Sequence, residues 1–264
     1  MLKSLLAAVS LLPALAVHAA IVFPSGPNTF NTNAAYDTNF KESVFSSGNT
    51  RNAGGYVQLQ GFQYGPAVYD RSATGGSNGS GGTSGNDADS EFSNFTISAD
   101  IATNEVGPFG MGFLMRLNSE EGNGYFASFV PESQTSIIFA LSQNAGLNEG
   151  IGGSIFSISV PLVGLAFNTN TFYRFKVTAK DSTFDFDFGS GAATASFTDP
   201  APIATIGQVG FVLLTASPTS ATRMDNFTIV PEPKSGTLLL VTLAGVFTGG
   251  LRRQSRLSLA RGLV

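Results

Sequence analysis

Phe184-Asp185-Phe186-Asp187-Phe188 sets three phenylalanines and two aspartates in strict alternation. Successive side chains on an extended strand point to opposite faces, so this run buries one aromatic face and leaves the other in water. A helix, with its repeat of about 3.6, would scatter the same residues around its circumference. Just upstream, Tyr173, Phe175, Val177 and Ala179 alternate with Arg174, Lys176 and Thr178. The period continues in Phe109, Met111, Phe113, Met115 and Leu117, and in Phe95, Ile97, Ala99 and Ile101. Turn chemistry separates these runs, as in Glu121-Gly122-Asn123-Gly124 and Gly189-Ser190-Gly191, and no useful helical period interrupts them. One apolar and one polar face per strand is the habit of antiparallel sheets, so the expected fold is an all-β antiparallel sandwich.

An internal echo bears on topology. Asn94-Phe95-Thr96-Ile97 recurs as Asn226-Phe227-Thr228-Ile229. The two segments are read as neighbouring, edge-closing strands that bring the ends of the domain together. The stretch 21–91 is less regular, with a strand-like run at Tyr56-Val57-Gln58-Leu59-Gln60 and a Gly/Ser-rich loop over 72–89 that has no side chains to build a core. It is expected to join the regular region, 92–229, in one sandwich.

Both ends of the chain read as addresses. Lys3, the apolar run Leu5 to Val17 and the small-residue site Val17-His18-Ala19 form a secretory signal peptide over 1–20. At the other end, 230–264, Val230-Pro231-Glu232-Pro233 precedes an apolar run from Ser235 to Leu251, then Arg252, Arg253, Arg256 and Arg261. Arginines resist crossing and stay on the cytoplasmic side, so this is a stop-transfer pattern with a single transmembrane helix. Its length is near the lower limit of the roughly 17–25 residues that span a bilayer, which suits a temporary anchor.

Charge and composition exclude several function classes. The targeting segments hold Lys3, Lys234, Arg252, Arg253, Arg256 and Arg261 of the 14 basic residues and Glu232 of the 18 acidic ones, leaving 8 against 17 and a net charge of about −9. Nucleic acid needs a basic stripe to displace counterions, so it is not an expected partner. With no cysteine, stability cannot come from disulfides. The single histidine, His18, leaves with the signal peptide, which removes histidine-dependent nucleophilic catalysis and the preferred zinc ligands. Asp185 and Asp187 share a strand face at a spacing compatible with paired-carboxylate chemistry, but the plainer reading is a solvated face behind three phenylalanines. Glu120 and Glu121 belong to an exposed hairpin, so the residues give no support to an enzyme. Tryptophan is absent, so sugar stacking would fall to Tyr56, Tyr64, Tyr69, Tyr125 or Tyr173.

Several segments carry a family resemblance. Gly110-Met111-Gly112-Phe113-Leu114-Met115-Arg116-Leu117-Asn118, Asn123-Gly124-Tyr125-Phe126, Phe172-Tyr173-Arg174-Phe175, Gly207-Gln208-Val209-Gly210-Phe211 and Asp225-Asn226-Phe227 resemble successive strands of concanavalin A-like, laminin G-type jelly-roll domains. The resemblance spans Phe92 to Val230. It implies a jelly roll whose binding site lies on the concave sheet or the loops of one rim. Arg116 and Arg174, read as polar-face residues, and Tyr125 are then the candidate glycan contacts. It also makes structural calcium the candidate cofactor, with Asp225 and Asn226 or Asn86-Asp87-Ala88-Asp89 as ligands, although no dedicated calcium-loop spacing is present. The alternative is a carboxylate-dependent glycan hydrolase or lyase on the same fold, but the Glu-x-Asp-x-x-Glu signature of laminarinase-like enzymes is missing.

The tail resembles a second pattern, the PEP-CTERM sorting signal that exosortases of Gram-negative bacteria recognise. Two departures are Lys234 directly after the motif and a tail that continues to Val264. The resemblance implies signal peptidase, the secretion machinery and an exosortase-type protease as partners. It also implies a transient inner-membrane anchor, then the cell surface or extracellular matrix, where exopolysaccharide of a biofilm would be the glycan met.

Overall fold

The segment Thr183–Phe188 is a strand with Phe184, Phe186 and Phe188 buried and Asp185 exposed. The computed structural model describes residues 30, 32–42, 50–51, 55–61, 63–70, 73, 90–107, 110–118, 123–145, 151–215 and 217–232. In chain order its elements are a short helix α1 (Asn33–Asn39) and the strands β1 (Phe40–Glu42), β2 (Thr50–Arg51), β3 (Val57–Gln60), β4 (Gln63–Tyr69), β5 (Glu91–Phe92), β6 (Phe95–Thr103), β7 (Met111–Leu117), β8 (Gly124–Pro131), β9 (Ser136–Ala145), β10 (Ser154–Pro161), β11 (Tyr173–Lys180), β12 (Thr183–Phe188), β13 (Ala193–Thr198), β14 (Gly207–Thr215) and β15 (Ala221–Pro231). The first sheet runs β1-β4-β14-β7-β8-β9-β10 with β5 added against β14, and the second runs β13-β12-β11-β6-β15-β3-β2. The chain is an all-β antiparallel jelly-roll sandwich. These elements all fall within one compact unit, Ile21–Pro231.

Phenylalanine fills the space between the sheets. Phe113 stacks on Phe175 at 5.1 Å between ring centroids, Phe129 meets Phe188 at 4.8 Å, Phe139 meets Phe186 at 5.4 Å and Phe211 meets Phe227 at 5.8 Å. Each pair takes one ring from each sheet, so the alternation of both sheets is locked by the same contacts. Burying one such side chain is worth roughly 1.5–3 kcal/mol, and offset or tilted ring pairs add about 0.5–1.5 kcal/mol. The first sheet also buries its other face: Val68, Leu114, Leu117, Phe126, Ala145 and Val212 form a second apolar cluster.

Three features depart from the simple alternation. The echoed segments do pair, with Ile229 opposite Ile97 and Pro231 opposite Phe95, but β6 and β15 lie in the middle of the second sheet and close no edge. Their core-facing Ile97, Phe227 and Ile229 are all fully buried, which favours the interior of the sheet. Arg116 is not on a polar face. The β7–β14 register slips between Gln208 and Gly210, Arg116 takes φ 53°, and this bulge turns its side chain into the protein, where it is 0% exposed. Gly207 lies opposite the bulge, where an added Cβ would stand 2.3 Å from the Leu117 carbonyl oxygen. Finally, α1 has only seven residues, too few to register as a helical period; its Tyr36 packs on Phe40 at 5.3 Å and on Phe30 at 5.7 Å.

Among the described residues no helix is long and apolar enough to cross a membrane. The signal peptide 1–20, the segment Ser235 to Leu251, Pro233, Arg252, Arg253 and Arg256 lie outside the described residues, whereas Val230, Pro231 and Glu232 lie within them and β15 ends at Pro231.

Candidate functional site

The outer face of the second sheet is wet and polar. Alternation sends Arg174 and Lys176 of β11, Ser98 and Asp100 of β6, and Thr228 of β15 to this face, and the register places Asp225 opposite Asp100 and Arg174 opposite Asp100 on the other side. The Arg174 guanidinium binds four groups: Nη1 donates to Asp100 Oδ1 at 3.3 Å and to the Asn226 carbonyl at 3.1 Å, and Nη2 donates to Ser98 Oγ at 2.7 Å and Thr228 Oγ1 at 3.3 Å. Asn226 Nδ2 donates to Asp100 Oδ2 at 2.7 Å.

A second bulge makes this network possible. The β6–β15 register shifts between Asp225 and Thr228, and Asn226 adopts φ 50°, a left-handed conformation that asparagine tolerates. The displaced residue delivers both its carbonyl and its amide to the same side. Asp225 Oδ1 accepts the Asn226 N–H at 2.7 Å. Burial, with Asp100's charge across the strand, pushes the Asp225 carboxyl above its ordinary value, and the Asn226 bond partly offsets the rise.

Beside the network stand two aromatic rings. Phe172, just before β11, is 40% exposed and its ring lies 6.3 Å from that of Tyr56, just before β3. The Arg223 guanidinium sits 5.8 Å from the Tyr56 ring centroid, and its buried Nε has no hydrogen-bond partner among the described residues. An aromatic ledge beside fixed donors and acceptors can take the apolar face of a ring-shaped ligand and hydrogen-bond its rim.

Of the residues expected from the sequence, Arg174 and, among the tyrosines, Tyr56 belong to this surface. Tyr125 is fully buried, with its hydroxyl donating to Asp199 Oδ2 at 2.7 Å and accepting the Ile203 N–H at 2.9 Å. Burial and the Asp199 bond push it up to about 12. Arg116 donates to the carbonyls of Ser93 at 3.0 Å, Asp181 at 2.5 Å and Ala204 at 3.5 Å, and lies 5.3 Å from the Phe184 centroid. Burial pulls its pKa down, against the charges of Tyr125 and Asp181. With no accessible surface, Arg116 and Tyr125 tie strands to loops and cannot reach a glycan. Tyr173 and Tyr69 are also buried. Asp100, Phe172 and Arg223 escaped the sequence reading. Phe172 does add an aromatic just ahead of the alternation, but its neighbours come from β3 and β15, far away in the chain.

Asp185 and Asp187 do share the outer face. Asp185 Oδ1 accepts Ser196 Oγ at 2.6 Å, and Asp187 pairs with Lys176 Nζ at 2.8 Å and accepts the Gly191 N–H at 2.7 Å. These bonds tie β12 to β13, to β11 and to its own turn, as in a solvated structural face. Glu120, Glu121 and Asn86-Asp87-Ala88-Asp89 lie outside the described residues. Among the described residues no group of three or more His, Cys, Asp or Glu could hold a metal ion. Around Asp225 and Asn226 the fit to calcium is poor, because Arg174 already neutralises Asp100 and occupies the Asn226 carbonyl.

No protein-family profile matches the chain, and no curated protein is detectably similar to it. Solved structures do resemble it. The beta-glucanase of Bacillus licheniformis superposes with a TM-score of 0.51 at 10% identity, over 78% of this chain and 96% of that one. A legume lectin-like domain from Entamoeba histolytica gives 0.49 at 8% identity, over 76% and 93%. A carbohydrate binding module from Bacillus subtilis gives 0.45 at 16% identity, over 72% and 99%. The likeness to the beta-glucanase defines the class by architecture: this chain is a jelly-roll sandwich, and the chemistry of its own surface must supply the rest.

Proposed function

We propose that this is an exported surface or matrix protein whose second sheet contacts a neutral glycan. The observation that carries the reading is the ledge of exposed Phe172 and partly buried Tyr56 beside the Arg174–Asp100–Asn226 network. A sugar ring offers an apolar face and a rim of hydroxyls, which such a surface matches. The net charge of about −9 over the body favours a neutral polymer over an anionic one. Retardation of the full chain in gels loaded with neutral polysaccharides tests it. Wild type should be retarded, and the Tyr56→Ala/Phe172→Ala double variant should run freely with an unchanged circular dichroism spectrum. No retardation of wild type by any neutral glucan, galactan or mannan, or no change in the double variant, would refute the glycan reading.

Sorting is the second half of the proposal. Val230-Pro231-Glu232-Pro233 and the following apolar and arginine-rich segments support processing by an exosortase-type protease after passage through the secretion machinery and signal peptidase. The protein would be held briefly at the inner membrane of a Gram-negative cell and then passed to the surface or the exopolysaccharide matrix. The test is intact mass and location with and without an exosortase, for wild type and for Pro231→Ala/Pro233→Ala. Loss of the tail should need both enzyme and motif; a tail that stays intact in every case means an ordinary anchor.

A further inference from the structure

We propose that β10 is a self-pairing edge through which two copies of this chain join their first sheets antiparallel. Among the described residues β10 ends its sheet, bonded to β9 alone, and Ser154, Ser157, Ile158, Ser159 and Pro161 are exposed along it. β1, with three buried residues, and β2, with two residues, are less suited sheet ends. Natural edges are usually blunted by charge, yet no Asp, Glu, Lys, Arg or His occurs from Ile151 to Tyr173.

The sequence of the edge selects a second copy as its occupant. Phe156-Ser157-Ile158-Ser159-Val160 reads nearly the same in both directions. Antiparallel pairing about a two-fold axis at Ile158 therefore sets Ser157 opposite Ser159 of the other copy and Phe156 opposite its Val160, an isologous contact. The faces agree as well. Ile158 stands opposite Phe139 of β9, so it points to the core side, yet it is 43% exposed. Pairing would bring two such isoleucines together and continue the apolar stripe from one sandwich to the next. The register slip between Ser154 and Phe156 at one end and Pro161 at the other limit the pairing to this central five-residue stretch. One carboxylate reaches this stretch: Glu132, in the β8–β9 turn, accepts Ser159 Oγ at 2.6 Å.

The chain has no cysteine, so one introduced thiol reports on one position. The full chain carrying Ile158→Cys, mildly oxidised in dilute detergent solution, should give a disulfide-linked dimer, because cross-strand Cα separations of about 4.5–5.5 Å suit a disulfide. Ile206→Cys, at a site 52% exposed and away from the edge, is the control and should cross-link about tenfold less, since its thiols lack the millimolar effective concentration of a paired edge. Adding Ser157→Lys to Ile158→Cys should bring the yield down to that of the control while circular dichroism stays unchanged. Equal yields from Ile158→Cys and Ile206→Cys, a dimer that survives Ser157→Lys, or adducts of a mass other than twice the chain would overturn the proposal.

Discussion

Arg174 Nη1 stands 3.3 Å from Asp100 Oδ1, and Asp100 Oδ2 is taken by Asn226 at 2.7 Å. Asp100 thus has both oxygens engaged, while Asp225, directly opposite it on β15, faces its charge from a partly desolvated position. The cation serves one member of the pair and leaves the other strained.

That asymmetry fixes a pH dependence. The folded-state pKa of Asp225 is raised above the ordinary 3.8, so the folded protein holds this proton more tightly than the unfolded chain. Its contribution is fully present below the ordinary value and is lost as pH rises through the folded value. Asp225→Asn, which keeps an acceptor for the Asn226 N–H, should therefore raise the urea midpoint at neutral pH. Urea midpoints of wild type and variant should converge on acidification; a variant less stable at neutral pH would contradict this account.

Arg116 gives the opposite kind of result. Arg116→Met fills similar space but strips hydrogen bonds from the carbonyls of Ser93, Asp181 and Ala204. A buried carbonyl left without its donor costs about 1–3 kcal/mol, and urea unfolding should report a loss of at least that order.

Tyr125 predicts an alkaline limb. Its folded value, pushed up to about 12 from 10.0, means that the unfolded chain ionises first. The stability contributed is complete below 10.0 and falls as pH climbs toward 12. Tyr125→Phe should flatten that limb. It should also cost about 1–2 kcal/mol at neutral pH, because the Ile203 N–H loses its acceptor and Asp199 Oδ2 keeps only Gln143.

The aspartates of β12 separate by role. Asp187→Ala loses the half-exposed Lys176 pair and the Gly191 N–H bond, for about 1 kcal/mol, while Asp185→Ala, losing Ser196 alone, should stay within about 0.5 kcal/mol. Denaturation of the two single variants checks the order.

Strand identity was legible where period two was unbroken: β11 buries Tyr173, Phe175, Val177 and Ala179, and β12 its three phenylalanines. The pairing of β6 with β15 could be read from an echo of four residues, though their central position could not. What escaped notice were the bulges at Arg116 and Asn226. Arg116 and Asn226 both adopt positive φ inside strands, and one extra residue in a strand leaves no mark on composition or spacing. Each bulge moved a side chain to the face that alternation denies it, burying Arg116 and aiming Asn226 at Asp100. The ledge of Tyr56 and Phe172 was hidden for another reason, since its rings meet only after four strands have assembled.

Among the described residues β15 is the last strand, and it lies between β6 and β3. Until β15 is available, the second sheet exists as two unconnected pieces, and the contacts that join them span up to 167 residues of chain, as from Val57 to Met224. Closure therefore waits until β15 has been made, and the loop entropy of so distant a pairing makes it slow. A polypeptide that cannot finish its barrier-crossing early stays threadable, and a stop codon placed after Thr215 should leave a chain that never becomes protease-resistant.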